Sequence, residues 1–289
     1  MTGNFVDNIR FLFKSPLKDN LENTIFLDTD YGKIRCFDTG GNKPVIINVP
    51  DGPNVIEHQN HLIKELSNEY RVVCFEYPGI GLSYPNFKFD YSFKAGANLL
   101  IQIMDTLKVP EAILLFSCSN GFYATKAASD YPERIKQVFL SQTPSVKAMQ
   151  KWTEKSIPKV LKVPVIGQIS NAIMAKKISS IWYKYALPKE SPLRDKYSKI
   201  AQKSLSNGGC FCLSSLVQGL KKDRNTLLTN IEVPTTMVWG AKDFTHRNTD
   251  KNSIKDHIHN CKIVEFKNSG HFPELENTKK FVGLIKSTL

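Results

Sequence analysis

A chain of 289 residues, 41% hydrophobic and 23% charged, has the composition of a globular protein with a large core in about one or two domains. No apolar run approaches the roughly 20 residues needed to cross a bilayer, and Met1 to Asn23 breaks its apolar residues with charge, so neither a spanning segment nor a secretory leader is expected. The net charge of +12 is concentrated between Ser145 and Asn230, where sixteen Lys and Arg face four acids and the remainder of the chain balances; such asymmetry speaks of partners rather than fold.

In chain order, Thr24 to Leu27 and Ile34 to Asp38 read as strands around a turn at Asp30-Tyr31-Gly32. Pro44 to Val49 is a third strand and Tyr70 to Phe75 a fourth, with helical spacing from His61 to Leu66 between them. Tyr91 to Leu107 is a helix with apolar residues at Leu99, Leu100, Ile103, Met104 and Leu107. Ala112 to Phe116 is a buried strand, followed by a turn of small residues and a helix to about Ser129, and Gln137 to Leu140 is the sixth strand. Thr235 to Trp239 and Lys262 to Phe266 are strands, and Lys279 to Ser287 closes the chain as a helix. Strands that alternate with helices and lack a polar face imply a mostly parallel sheet covered on both sides. The proline-interrupted helical segment 145–230 breaks this rhythm. The reading is therefore a core of 1–144 and 231–289 with a helical lid inserted after the sixth strand, over the sheet's C-terminal edge.

The turn Phe116-Ser117-Cys118-Ser119-Asn120-Gly121 has the form small–x–Ser–x–small between a strand and a helix, the shape of a nucleophile elbow. Ser119 is the expected nucleophile because Ser117 and Gly121, two positions to either side, are small. Taking Ser117 instead puts Leu115 where a small residue is required. Cys118 is a rival nucleophile, set aside because it flanks that apex. A nucleophilic serine needs a base and an orienting acid. Asp243, just beyond the strand ending at Trp239, and His271, in the loop after the last strand, supply them in the order Ser, Asp, His. His246, His257 and His259 lie in a polar stretch and read as solvated, while His58 and His61 read as surface residues near the third strand's exit. The six cysteines have no zinc spacing and read as reduced thiols of a cytoplasmic protein, with no metal site. The apolar stripe Met174, Ile178, Ile181, Trp182 and Tyr185 reads as a packed helix face, and Met174, Ile178 and Trp182 are the candidate substrate-pocket residues.

On Pro50-Asp51-Gly52-Pro53, Glu76-Tyr77-Pro78-Gly79-Ile80-Gly81-Leu82-Ser83, the elbow, Gly240-Ala241-Lys242-Asp243 and Gly270-His271, nearly the whole chain resembles an α/β-hydrolase of the lidded serine-esterase type. The resemblance implies that fold and the triad Ser119, Asp243 and His271. It also implies an oxyanion hole of two backbone N–H groups. One falls to Asn120, the residue after the nucleophile; the family's His-Gly-x-Pro motif is altered here, and pairing Pro53 with its proline gives the other to Gly52.

The expected activity is cleavage of a carboxylic ester or thioester through an acyl-serine, with no metal or organic cofactor. Carbon–carbon bond hydrolysis of a diketone-type substrate and a weakly catalytic ligand-binding protein are the alternatives. Similar lidded esterases act on a carrier-bound acyl chain in biotin synthesis, so the basic lid is expected to meet an acidic acyl carrier protein. Anionic lipid is another candidate target, whereas nucleic acid is not expected, for want of a recognisable module.

Overall fold

The computed structural model describes residues 3–14, 21–223, 228 and 231–289. After helix α1 (Phe5–Phe11), strands β1 (Thr24–Thr29) and β2 (Gly32–Asp38) form an antiparallel hairpin. Strands and helices then alternate: β3 (Val45–Val49), α2 (Asn60–Leu66), β4 (Arg71–Phe75), the two-residue β5 (Ile80–Gly81), α3 (Phe93–Thr106), β6 (Ala112–Ser117), α4 (Gly121–Asp130) and β7 (Ile135–Ser141). Helices α5 (Val146–Ser156), α6 (Ile166–Ala186) and α7 (Leu193–Ser206) follow, then the short β8 (Cys210–Phe211) and α8 (Leu213–Lys222). The chain returns to the sheet through β9 (Thr235–Gly240) and β10 (Lys262–Phe266) and ends with α9 (Pro273–Glu276) and α10 (Thr278–Thr288).

The main sheet has eight strands in the order β1-β2-β4-β3-β6-β7-β9-β10. From β4 to β10 every pairing is parallel, and β1 and β2 form an antiparallel edge. All six residues of β6 are buried, as both-sided covering requires. Along it, Ile113 and Leu115 pack toward α2 and α10 with Leu62, Ile63, Phe281 and Ile285. Leu114 and Phe116 pack toward α3 and α4 with Leu99, Leu100, Ile103 and Phe122. Each such buried side chain contributes about 1.5–3 kcal/mol of transfer free energy. Ser92 starts α3 by accepting from the Ala95 N–H at 3.2 Å, which is why the helix begins two residues later than its apolar spacing suggests.

The loops that follow β3, β6, β7, β9 and β10 leave one edge of the sheet and meet there. A buried carboxylate helps set two neighbouring turns. Glu76 accepts from the Ile56 N–H (3.1 Å) through one oxygen and from the Leu82 N–H (2.8 Å) through the other. Buried Arg35 bridges it to Glu57 with bonds of 2.9 and 2.8 Å.

Helices α5 to α8 stand where the sequence places an inserted helical segment. That segment's expected end falls at 224–230, where only Leu228 is described, and Arg224, one of its sixteen basic residues, also lies outside the described residues. The inner face of α6 differs from the expected stripe. It buries Gly167, Gln168, Asn171, Ala175, Ser179, Tyr183 and Ala186. Gln168 donates to Ser215 and Gln218, Asn171 donates to the Phe211 carbonyl at 2.7 Å, and the Tyr183 hydroxyl donates to Asn54. Small side chains let α6 lie close to its neighbours, and its amides satisfy groups there. Ile178 and Trp182 turn partly inward, but Met174, Ile181 and Tyr185 are 40%, 46% and 45% exposed. Among the described residues no helix is long and apolar enough to cross a membrane.

Candidate active site

The β6–α4 turn sets Cys118, rather than Ser119, at its left-handed position. Ser117 ends the strand in extended backbone, and the next residue, Cys118, has φ +49°. Left-handed backbone costs a residue other than glycine about 1–2 kcal/mol, and such strain gathers where a side chain must be presented. Cys118 therefore occupies the apex of the elbow. Its Sγ lies within 4.8 Å of a His271 ring nitrogen. Ser119 is the second residue of the short helical turn Cys118–Asn120 and lines the cavity beside Cys118, and among the described contacts its hydroxyl has none to His271.

Around Cys118 the small-residue rule does not hold, because Phe116, two positions before it, is large and buried. The glycine that matters is Gly121, three positions after Cys118. A Cβ there would lie 2.2 Å from the Thr143 hydroxyl, and that hydroxyl donates to the Cys118 carbonyl at 3.0 Å. Thr143 lies just after β7, so the constraint that sets the register is non-local.

His271 and Asp243 stand as the sequence predicts. His271 is fully buried, and its Nδ1 lies 2.7 Å from Asp243 Oδ2. That oxygen also accepts from the side-chain amide of Gln142 at 2.6 Å, and Oδ1 accepts from the Thr245 N–H and hydroxyl at 2.8 and 2.6 Å. Gln142, at φ +51°, further accepts from the Gly240 N–H at 2.8 Å and so ties the β7 and β9 ends together. Burial raises the Asp243 pKa, but His271 and these bonds outweigh it and bring the pKa to about 2. The His271 N–H donates to the Ala186 carbonyl at the end of α6 (2.7 Å). A Cβ on Gly270 would come within 2.3 Å of the same oxygen, so the residue before the histidine must be glycine.

The other side of the imidazole carries what the sequence did not disclose. Asp51, 4% exposed, places Oδ2 3.3 Å from His271 Nε2, and burial raises its pKa. Burial alone would lower the His271 pKa; Asp243 above all, then Cys118 and the bond to Asp51, hold it well above the usual imidazole value. Burial and Asp51 push the Cys118 thiol up to about 11, against the pull of His271 and the Ser119 N–H.

His246, expected in solvent, is 1% exposed. It lies between the Trp152 ring (4.6 Å, 15°) and the His271 ring (5.3 Å, 23°), and burial holds its pKa down to about 3. Trp152 comes from α5, almost a hundred residues away, so no local pattern announces the burial. His58 is likewise buried, its Nε2 3.0 Å from the Tyr197 carbonyl and 3.1 Å from the Tyr183 hydroxyl. His257 is half-buried and accepts from the Val146 N–H at 3.1 Å, whereas His61 and His259 are exposed.

Asn120, the expected oxyanion donor, is the second residue after Cys118. Its side-chain amide instead donates to the Pro50 carbonyl at 2.9 Å and fixes the loop after β3. Gly52 lines the cavity with Cys118 and Ser119. Of the expected pocket residues, Ile178 and Trp182 line this cavity and Met174 does not. Met149 and Trp152 of α5, Val217 and Leu220 of α8 and Phe211 of β8 also enclose it. The cavity is narrow, about 70 Å³, and mainly apolar apart from Asp51 and the elbow. All six cysteines are buried free thiols.

A mostly parallel sheet with an elbow after β6, an acid after β9 and a histidine after β10 defines the class of α/β hydrolases. Residues 44–278 match the model of the α/β hydrolase fold family, and the chain belongs to that family. Its relatives include the cis-3-alkyl-4-alkyloxetan-2-one decarboxylase of Shewanella oneidensis, 26% identical over 86% of this chain and 82% of that protein. The 3-oxoadipate enol-lactonase 2 of Acinetobacter baylyi is 20% identical over 78% of this chain and 81% of its own length. Among solved structures, a putative acyltransferase from Salmonella enterica superposes with a TM-score of 0.75 at 15% identity, covering 94% of this chain and 97% of that one.

Proposed function

We propose that the protein is a thiol-dependent hydrolase of small carboxylic esters or lactones, with Cys118 as nucleophile, His271 as base and Asp243 as the group that orients it. The observation that carries this reading is the left-handed apex at Cys118, whose Sγ lies within 4.8 Å of a His271 ring nitrogen. Cys118 Sγ attacks the acyl carbon while His271 takes the thiol proton. The Ser119 and Gly52 N–H groups hold the oxyanion. The carbon–oxygen bond breaks, and the leaving alkoxide takes the proton from His271; in a lactone it stays tethered as a hydroxyl. Water then cleaves the thioester, giving its proton to His271, and the carboxylate leaves with Cys118 restored. Asp243, acceptor of four hydrogen bonds, stays ionised throughout and stabilises the imidazolium.

The narrow apolar cavity suits a short acyl chain or a small ring. The names of two relatives, an oxetan-2-one decarboxylase and an enol-lactonase, lend weight to the lactone form. The test compares Cys118→Ala with Ser119→Ala on short p-nitrophenyl esters and small lactones, with mass spectrometry of the trapped acyl-enzyme. Loss of turnover in Cys118→Ala alone, with acyl mass on the Cys118 peptide, is expected. Turnover that survives in Cys118→Ala and vanishes in Ser119→Ala would restore the serine reading. Thioesters and diketone-type substrates belong in the same screen, as does binding without turnover.

The outer face of the helical segment favours an acidic macromolecular partner. On α6, Ile169, Ile173 and Ile181 are exposed beside exposed Lys176, Lys177 and Lys184, which suits an acidic helix such as that of an acyl carrier protein. Turnover of a carrier-bound ester that falls with salt and with Lys176→Glu and Lys177→Glu is the expected result. Salt-independent turnover, or binding to anionic vesicles in place of the carrier, would overturn it. The helical segment acts in this reading as a lid, in a protein of the cytoplasm.

A further inference from the structure

We propose that Cys118, His246 and His271 form a binding site for a soft divalent cation, Zn²⁺ foremost. Among the described residues these are the only three His, Cys, Asp or Glu side chains grouped closely enough for this role, with one ligand atom from each lying within 4.8 Å of the others. Tetrahedral zinc with bonds of about 2.0 Å to nitrogen and 2.3 Å to sulfur holds its ligand atoms roughly 3.3–3.7 Å apart. Small side-chain adjustments close that gap.

A second observation points independently to a ligand. His246 Nε2 is fully buried and has no hydrogen-bond partner among the described residues. A polar nitrogen in that state is rare in a packed interior and calls for an explanation. His246 Nδ1, by contrast, is engaged, 3.1 Å from the Thr249 hydroxyl, and His271 Nδ1 is held by Asp243 at 2.7 Å. Each imidazole is thus oriented through Nδ1; His246 offers an unpartnered Nε2, and His271 an Nε2 whose 3.3 Å contact to Asp51 the ion would replace, the arrangement by which outer partners position metal-bound histidines. Stacking between Trp152 and His271 fixes the plane of the His246 ring.

The donor set selects the ion. One thiolate and two imidazoles suit Zn²⁺ and Co²⁺ and reject Mg²⁺ and Ca²⁺, which prefer oxygen. Binding displaces two protons to solvent, that of the Cys118 thiol and the one on His271 Nε2 that faces Asp51. The Asp51 and Asp243 carboxylates on either side of His271 offset the cation's charge. A bound ion occupies the sulfur and nitrogen that hydrolysis uses, so metal and turnover exclude each other. That consequence rests on the proposed thiol mechanism, whereas the binding itself does not.

The test is a titration of the reduced full chain with Zn²⁺ alone, in competition with a chelating dye of roughly micromolar affinity. Co²⁺ serves as a spectroscopic substitute that shows a thiolate charge-transfer band. One ion per chain is expected, weakened about a hundredfold or more in Cys118→Ala and in His246→Gln. Metal-free melting curves check that both variants fold. Should one fail, protection of Cys118 from iodoacetamide by Zn²⁺ in the wild-type chain decides the same question. Fewer than one ion per chain, unchanged affinity in both variants, or no protection of Cys118 would overturn the site. Zinc binding in a chain that hydrolyses nothing would leave the site standing and sink the hydrolase reading; hydrolysis without zinc binding would do the reverse.

Discussion

The two sides of the His271 ring are built differently. On the Nδ1 side, Asp243 accepts four short hydrogen bonds and its pKa lies at about 2. On the Nε2 side, Asp51 and Cys118 have raised pKa values and His246 Nε2 has no partner among the described residues. The saturated side fixes where the ring stands. The unsatisfied side is where bonds remain to be made, and it opens to the cavity. The proposed role of His271 as base uses both: a side that never changes state and a side that exchanges protons.

The contrast is broken most severely by Cys118→Ala, which removes the proposed nucleophile; the single-turnover rate is expected to fall by about 10⁴-fold or more. Asp243→Asn attacks the saturated side. A neutral amide favours the wrong imidazole tautomer, and kcat is expected to drop by about 10³- to 10⁴-fold with KM little changed.

Asp51→Asn sharpens the contrast through pH. In the proposed thiol mechanism turnover requires the Cys118–His271 pair to lose one proton, and both groups are raised, so kcat/KM is expected to climb with pH on the alkaline side of neutrality. Asp51 contributes to raising both. Its replacement therefore moves the rising limb to lower pH, as does the pH dependence of iodoacetamide alkylation. A limb that stays in place or moves upward would contradict the assignment. Ser119→Ala, beside the reacting atoms but unbonded to His271, is expected to leave kcat/KM within about a factor of two.

How much was legible follows from where each constraint originates. Strands such as β6 and β9 are continuous buried runs, and continuous apolar runs declare themselves locally. Asp243 and His271 were legible because strand ends in a parallel sheet share an edge. The left-handed position of Cys118 was not, since the contact that sets the elbow's register is Gly121 against Thr143 of another element. The inner face of α6 was misread because close approach and amide bonding govern it, and neither leaves an apolar stripe. Asp51 and His246 acquire their roles only from residues brought together by folding.

The bond from the His271 N–H to the Ala186 carbonyl has one more consequence. The backbone that carries the base is fastened to the C-terminal end of α6, while the middle of α6 roofs the cavity through Ile178 and Trp182. Raising that end of the helix to admit a substrate would drag the imidazole with it or snap the tether. Entry and competence are thereby interlocked, as in a machine that runs only with its cover shut.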